Sequence, residues 1–338
     1  MKVLGLQQSL RVFKRGQRDT TVPLDEAGRK GVSTGKNPES GRWMTWRTVL
    51  ATFVIVMAAK AALAGGAQAA AAPDPNLPPY LADRGTGVPT SMFGTYIRRG
   101  ELIFYPFFEH YRDGNFDYKP SELGFQGDAD FRGRYRANEG LFFLSYGLTG
   151  NLAVEMEAAV IRASLEKAPN DLSLMPRKIE ESGLGNVEAQ LRWRWRRENE
   201  SRPEFFSYFE TVFPHSQKKL LIGTPGWEMK LGTGVVKGFR WGTLTGRAAL
   251  NYTEASSSHF DLGEYAVEYL KRLSPHFRVY AGLEGTQDEL SLITELQWHI
   301  SRYAFIRLNN GVGLSQNATD WSPEIGILFT LPTRRTPR

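Results

Sequence analysis

Residues 182–197 read SGLGNVEAQLRWRWRR, and from Asn186 onward the alternation is strict. Val187, Ala189, Leu191, Trp193 and Trp195 occupy one parity; Asn186, Glu188, Gln190, Arg192, Arg194 and Arg196 occupy the other. A β-strand points successive side chains to opposite faces, so this segment has one aliphatic-indole wall and one wall of amides and full charges. A soluble sandwich would bury the apolar wall. A membrane barrel would turn it to lipid, turn the charges to an aqueous interior and collect aromatic rings near the strand ends.

Comparable runs recur at about the length that crosses a bilayer at a tilt. They fall at 322–331, 303–314, 289–300, 276–285, 261–271, 240–252, 227–236, 203–213, 185–196, 151–163, 139–147 and 101–112. With the last strand running inward, the turns on the terminal side are short: Ser301-Arg302, 272–275, 237–239, 197–202 and 148–150. The opposite side receives the longer connections 113–138, 164–184, 214–226, 253–260, 286–288 and 315–321, the asymmetry expected of periplasmic turns and external loops. The segment GFQGDADFRGRYR, around Phe125 to Arg136, would break this parity as a separate crossing and is read as external loop or strand extension. The expected fold is all-β: a transmembrane up-and-down antiparallel β-barrel of about twelve strands over 99–331, with fourteen as the alternative if Phe93–Ile97 also crosses.

The outward parity carries a second pattern. Trp193, Trp195, Tyr269, Phe277, Trp298 and Phe329 fall at the expected periplasmic end, and Trp227, Tyr252 and Trp321 at the external end, as two interfacial girdles. The inward parity supplies Glu155, Glu157, Glu188, Arg192, Arg194, Glu228, Lys230, Arg247, Glu264, Glu268, Arg278, Glu284, Glu295, His299, Arg307 and Glu324. Neither sign dominates. A one-sided charged ring would mark an ion-selective pore; this mixed set can pair across a narrow interior.

Composition at first points elsewhere. A net charge of +6 suits a nucleic-acid partner, but the first 72 residues hold eleven Lys and Arg against four acids, and residues 73–338 hold 31 against 32. The folded part lacks the clustered positive charge that nucleic acid requires. Thr48–Ala59 is an uncharged apolar run after Arg47, followed by the small-residue sites Ala62-Leu63-Ala64 and Ala67-Gln68-Ala69. That is the layout of a cleaved export signal, placed at 44–69 with translation starting at Met44, and residues 1–43 are an extension without pattern. Residues 70–98 contain Pro73, Pro75, Pro78, Pro79 and Pro89 and are expected to form a periplasmic arm, while 332–338 form a basic tail. There is no cysteine, hence no disulfide.

Catalytic chemistry is thin. Gly232-Thr233-Gly234 followed by Lys237-Gly238 lacks the Ser/Thr ending and the helix of a phosphate loop. The five histidines lack metal-site spacing. Ser291 and His299 share inward parity on one strand, yet eight residues of strand hold them ~27 Å apart, which excludes a dyad. The reading is of a protein that is not an enzyme and has no cofactor or metal; an outer-membrane lipid hydrolase is a minor alternative.

The run Ser182-Gly183-Leu184-Gly185-Asn186-Val187-Glu188, the segment Glu228-Met229-Lys230-Leu231-Gly232-Thr233-Gly234-Val235-Val236-Lys237 and the closing Ser322-Pro323-Glu324-Ile325-Gly326 resemble the MetA-type outer-membrane proteins associated with phenol degradation. The resemblance covers roughly 98–331 and implies an outer-membrane barrel passing small apolar or aromatic compounds, with no binding residues to carry over. The expected role is an outer-membrane channel or transporter in a Gram-negative cell, with the alternative of an envelope-integrity barrel whose lumen its own salt bridges close. Expected partners are the small solute, outer-membrane lipid, lipopolysaccharide and, during biogenesis, the barrel-assembly machinery, with no nucleic acid. Leu220, Leu221, Ile222 and Trp227 would offer apolar surface on the 214–226 loop.

Overall fold

The computed structural model describes residues 77–214, 221–254 and 260–333. The expected signal at 44–69, the extension before it, Leu220 and most of the basic tail lie outside these residues. Two short strands, β1 (Val88–Pro89) and β2 (Tyr96–Ile97), pair with each other. Twelve longer strands follow: β3 (Glu101–Tyr118), β4 (Phe131–Gly147), β5 (Leu152–Glu166), β6 (Lys178–Arg196), β7 (Glu204–Phe213), β8 (Glu228–Phe239), β9 (Gly242–Thr253), β10 (Phe260–Arg272), β11 (Phe277–Gly285), β12 (Leu290–Ser301), β13 (Ala304–Gly313) and β14 (Trp321–Pro332). Each is antiparallel to the next, and β14 pairs with β3 to close the barrel. Closure leaves no open sheet edge, which a spanning sheet in hydrocarbon requires.

The alternation that sets the strands also sets their faces. Met156, Leu231, Leu250, Val267 and Ile325 stand outward and at least half exposed around the circumference, an apolar belt far larger than a water-facing surface tolerates. This is the transmembrane twelve-stranded barrel that the periodicity predicts.

Three details sharpen the expected boundaries. Phe131–Arg136 takes the strand-extension reading: it continues β4 and pairs with β3 and β5, so the wall rises above the apolar belt there. The β8–β9 turn is Arg240-Trp241 and begins three residues later than expected, because β8 continues to Phe239. Residues 93–97 do not form an additional crossing: Tyr96–Ile97 pairs with Val88–Pro89 apart from the barrel wall.

The segment expected as a periplasmic arm is instead packed inside the barrel over its described part. Residues 80–98 touch strands on opposite sides of the cylinder: Ser91 N–H donates to Glu155 on β5, Arg192 on β6 reaches Pro89 O, and Phe93 stacks on Tyr280 of β11. Only a segment crossing the interior meets all three. Val88 and Ile97 are fully buried. Gly87 (φ 141°), just before β1, lies so close to the Ile97 backbone that a Cβ would sit 2.8 Å from its carbonyl oxygen, so the entry into the ribbon requires glycine. We refer to residues 77–100 as the luminal segment.

At the external end, Lys167 donates from Nζ to Ser173 O and Met175 O, and the Tyr118 hydroxyl donates to Asp171 Oδ2 at 2.7 Å. These bonds tie the β5–β6 loop down onto the top of β3.

Candidate functional site

Cations on the β6 wall grip the luminal segment by its backbone. Arg192 Nη1 donates to Pro89 O at 2.9 Å, and Arg194 donates to Gly87 O. Arg192 also lies over the rings of Phe206 and Tyr208, at 5.4 and 4.8 Å, with Glu155 3.9 Å away. The segment returns the interaction with its own charges. Arg84 meets Glu198 at 2.8 Å and Glu204 at 3.2 Å, while Asp83 accepts from Arg272 N–H at 2.8 Å and lies 3.4 Å from Lys271 Nζ. A small cavity remains beside it, lined in part by Ser91, Phe93, Arg192, Phe206, Arg247 and Glu268.

Around the rest of the wall the charges pair with one another. Arg247 on β9 contacts Glu264, Glu268 and Glu284, the Glu268 bond being 2.6 Å. Lys230 lies between Glu210 at 2.9 Å and Glu264 at 3.1 Å. Arg307 donates through Nε to Glu295 Oε2 at 2.9 Å and lies 4.9 Å over the Tyr105 ring. The Tyr105 hydroxyl donates to Glu324. Arg278 Nε donates to His299 Nε2 at 2.8 Å, which occupies that histidine within its own strand pair. Glu157 and Glu188 face each other across β5 and β6, and Glu228 sits at the start of β8 opposite Val212 and Thr253. Taking an ion out of water costs several kcal/mol, so such a wall forms only where each charge finds a partner. Arg247 with three carboxylates is the densest case.

A third part of the interior is apolar. Tyr105, Phe107, Tyr111, Phe116 and Tyr118 on β3, Tyr135 and Phe143 on β4, and Ile161 and Leu165 on β5 point inward and are buried. They belong to one continuous cluster that runs from Leu123, Met175, Leu221 and Ile222 in the external loops to Val88, Met92 and Ile97 of the luminal segment. The lumen is therefore uneven: aromatic and aliphatic side chains predominate along β3–β5, interspersed with the buried carboxylates Glu109, Glu139, Glu155 and Glu157, and ionic groups predominate along β6–β13.

Outside, aromatic residues meet in rows near both ends. Trp195 stacks on Phe205 at 4.9 Å, Trp241 on Phe239 at 4.8 Å and Phe277 on Trp298 at 6.5 Å, and the Tyr269 hydroxyl donates to Trp241 O. Trp193 lies on the same face of β6 as Trp195. At the external end Trp227 meets Phe213 edge-on, Tyr252 meets Phe260, and Trp321 meets the His110 ring. Phe329 is placed differently: it is 1% exposed, stacked against Phe104 at 6.4 Å, because neighbouring strands close aromatic rings over it.

Several residues of this interior escape the sequence reading. Glu204 and Glu210 share the inward parity of Phe206 and Tyr208, so the alternation already contains them. Asp83 and Arg84 carry no such signal, since their segment has no period. Among the described residues, no group of three or more His, Asp or Glu is arranged to hold a metal ion.

No protein-family model and no curated protein sequence matches the chain. Among solved structures, the COG4313 outer membrane channel from Pseudomonas putida F1 is similar at TM-score 0.52 and 14% identity, covering 72% of this chain and all of that one. The translocator domain of the autotransporter NalP from Neisseria meningitidis (TM-score 0.40, 10% identity, 69% of this chain and 89% of that one) and the toluene transporter TbuX from Ralstonia pickettii (0.37, 11%, 70% and 90%) are more distant. At 14% identity, the first likeness is one of fold: this chain shares the closed barrel architecture of an outer-membrane protein.

Proposed function

We propose that the protein is an outer-membrane conduit for small apolar solutes, aromatic compounds among them. The observation that carries this reading is the single apolar cluster running from the external loops, along the inner face of β3–β5, to the luminal segment. A water-filled pore has no use for a buried aromatic wall of that length, whereas a solute that leaves water gains roughly 25 cal/mol per Å² of apolar surface covered along it. The fold shared with an outer membrane channel and the resemblance to the MetA-type proteins support the same reading. The candidate lumen residues act in it as the ionic half of the wall, holding the luminal segment and keeping the barrel rigid, and the aromatic girdles position the barrel in the membrane.

The envelope-integrity alternative draws on a different observation, the pairing of Arg247, Lys230 and Arg307 with wall carboxylates together with the segment crossing the lumen. Cells lacking the gene separate the two. Wild-type chain should restore uptake of a labelled monoaromatic compound, and Tyr135→Arg with Ile161→Arg should not, while still forming a heat-modifiable barrel. Unchanged uptake in all strains, with detergent sensitivity altered by the deletion, supports the structural role and excludes the conduit.

A further inference from the structure

Arg112 on β3 and Arg136 on β4 are direct cross-strand partners, both exposed on the outer face of the barrel. Like charges placed opposite one another on a sheet are destabilising, and cross-strand side chains lie only about 5 Å apart. Their neighbours resolve such conflicts locally: Arg134 bonds Glu166, and Lys178 bonds Glu180. Arg112 and Arg136 have neither carboxylate nor other hydrogen-bond partner among the described residues. Arg162 stands diagonal to Arg136, two residues from its partner Ser164, and reaches Glu180 only at 4.0 Å.

The position of this group is as informative as its charge. Along β5 the outward residues from Leu152 to Val160 are apolar, and Arg162 is the next outward residue on the external side. Phe108, 48% exposed, lies two outward positions below Arg112, and Trp321 of the external girdle is Arg112's partner on β14. The arginines thus begin where the apolar belt ends. On other strands the corresponding ends are apolar or aromatic: Phe213, Tyr252, Phe260 and Val312. The basic group also coincides with the sector where β3 to β6 rise above the belt, so it is backed by sheet and not by a loop.

We propose that Arg112 and Arg136, with Arg162 beside them, bind the phosphate groups of a phosphorylated glycolipid of the external leaflet, of the lipopolysaccharide type. Guanidinium groups present forked donors that match phosphate oxygens, and a bound dianion converts the Arg112–Arg136 repulsion into attraction to a shared centre. Exposed charge contacts alone contribute little. The acyl chains lying along Phe108 and Val160 supply the remaining attraction, so the lipid is held and a free phosphate is not. The inference is independent of what passes through the lumen.

The test uses the full chain purified in mild detergent and native mass spectrometry, with bis-phosphorylated lipid A, the same lipid dephosphorylated, and inorganic pyrophosphate as competitor. The wild type should hold the bis-phosphorylated lipid at least about ten-fold more tightly than the Arg112→Ser/Arg136→Ser variant, whose heat-modifiable mobility should be unchanged because both side chains are exposed. Equal binding by wild type and variant overturns the site. Equal binding of the dephosphorylated lipid overturns the role of phosphate, and displacement by equimolar pyrophosphate overturns the lipid as its source. None of these results bears on solute uptake, so the conduit reading stands or falls separately.

Discussion

Arg84 of the luminal segment donates from Nη2 to Glu198 Oε2 at 2.8 Å, and both side chains are 1% exposed. A buried ion pair of this kind contributes little beyond its own desolvation cost, but removing one partner leaves an uncompensated charge, at about 3–5 kcal/mol. Arg84→Met removes a cation from both Glu198 and Glu204, although Lys237 at 3.1 Å still reaches Glu198 and Arg194 at 3.2 Å still reaches Glu204. The expected outcome is release of residues 77–100 from the lumen with the barrel intact. Amide exchange in that segment should accelerate, and single-channel conductance in a planar bilayer should rise, while heat-modifiable mobility stays as in the wild type.

Arg247 tests the wall itself. It is the shared partner of Glu264, Glu268 and Glu284, so Arg247→Met removes the cation that three carboxylates share in a confined interior, with Lys230 still on Glu264. A loss of about 3–5 kcal/mol is expected from the charge left behind. Urea unfolding in lipid vesicles should show the midpoint falling, and adding Glu284→Gln should recover part of the loss by removing one of the stranded charges. Additive losses in the double variant would contradict the pairing.

How much of this interior the chain discloses in advance depends on period. Arg247, Glu264 and Glu284 are readable because each alternates with outward apolar neighbours such as Ala248, Tyr265 and Leu283 over a full crossing. The luminal segment is not: its charges Asp83 and Arg84 sit in a stretch without period, and other bonds run from wall side chains to its backbone, as from Arg192 to Pro89 O, where a backbone acceptor leaves no mark on the residue that carries it. The apolar sector along β3–β5 is visible only in three dimensions: Tyr105, Tyr135 and Ile161 each look like ordinary inward residues until closure sets them side by side.

The Asp171 cap gives a pH dependence. Burial alone pushes its carboxyl upward, but the hydrogen bonds from Ser173 and Tyr118 and the nearby Lys167 outweigh burial and hold its pKa below the ordinary value. A carboxylate depressed in the folded state contributes stability that is present above its unfolded pKa, about 3.9, and lost as pH falls through the folded value. Amide protection of the β5–β6 loop should therefore be flat from neutral pH down to about 5 and decline only below about 4. Asp171→Asn should lower protection at neutral pH and remove that acid-side decline; a loop that opens between pH 7 and 5 in the wild type would rule out Asp171 as its fastening.

Met156 tests the placement in the bilayer. It stands outward on β5, 54% exposed, midway along the apolar stretch from Leu152 to Val160, and its partners across β4 and β6 are Leu144 and Ala189. A lysine there has no carboxylate within the belt, and at the bilayer midplane a basic side chain on the lipid face costs about 2–4 kcal/mol, falling to about 0–1 near the interface. Arg162 already stands at that external limit on the same face of the same strand. Met156→Lys should therefore lower the urea midpoint for folding into vesicles by the larger amount, and Val160→Lys, one turn of the alternation below Arg162, by clearly less. In detergent micelles, which deform around a charge, the two should converge. Equal costs at both positions in vesicles would mean that the hydrocarbon slab is not centred on Met156, and would move the membrane boundary, the two girdles and the arginine group together along the barrel axis.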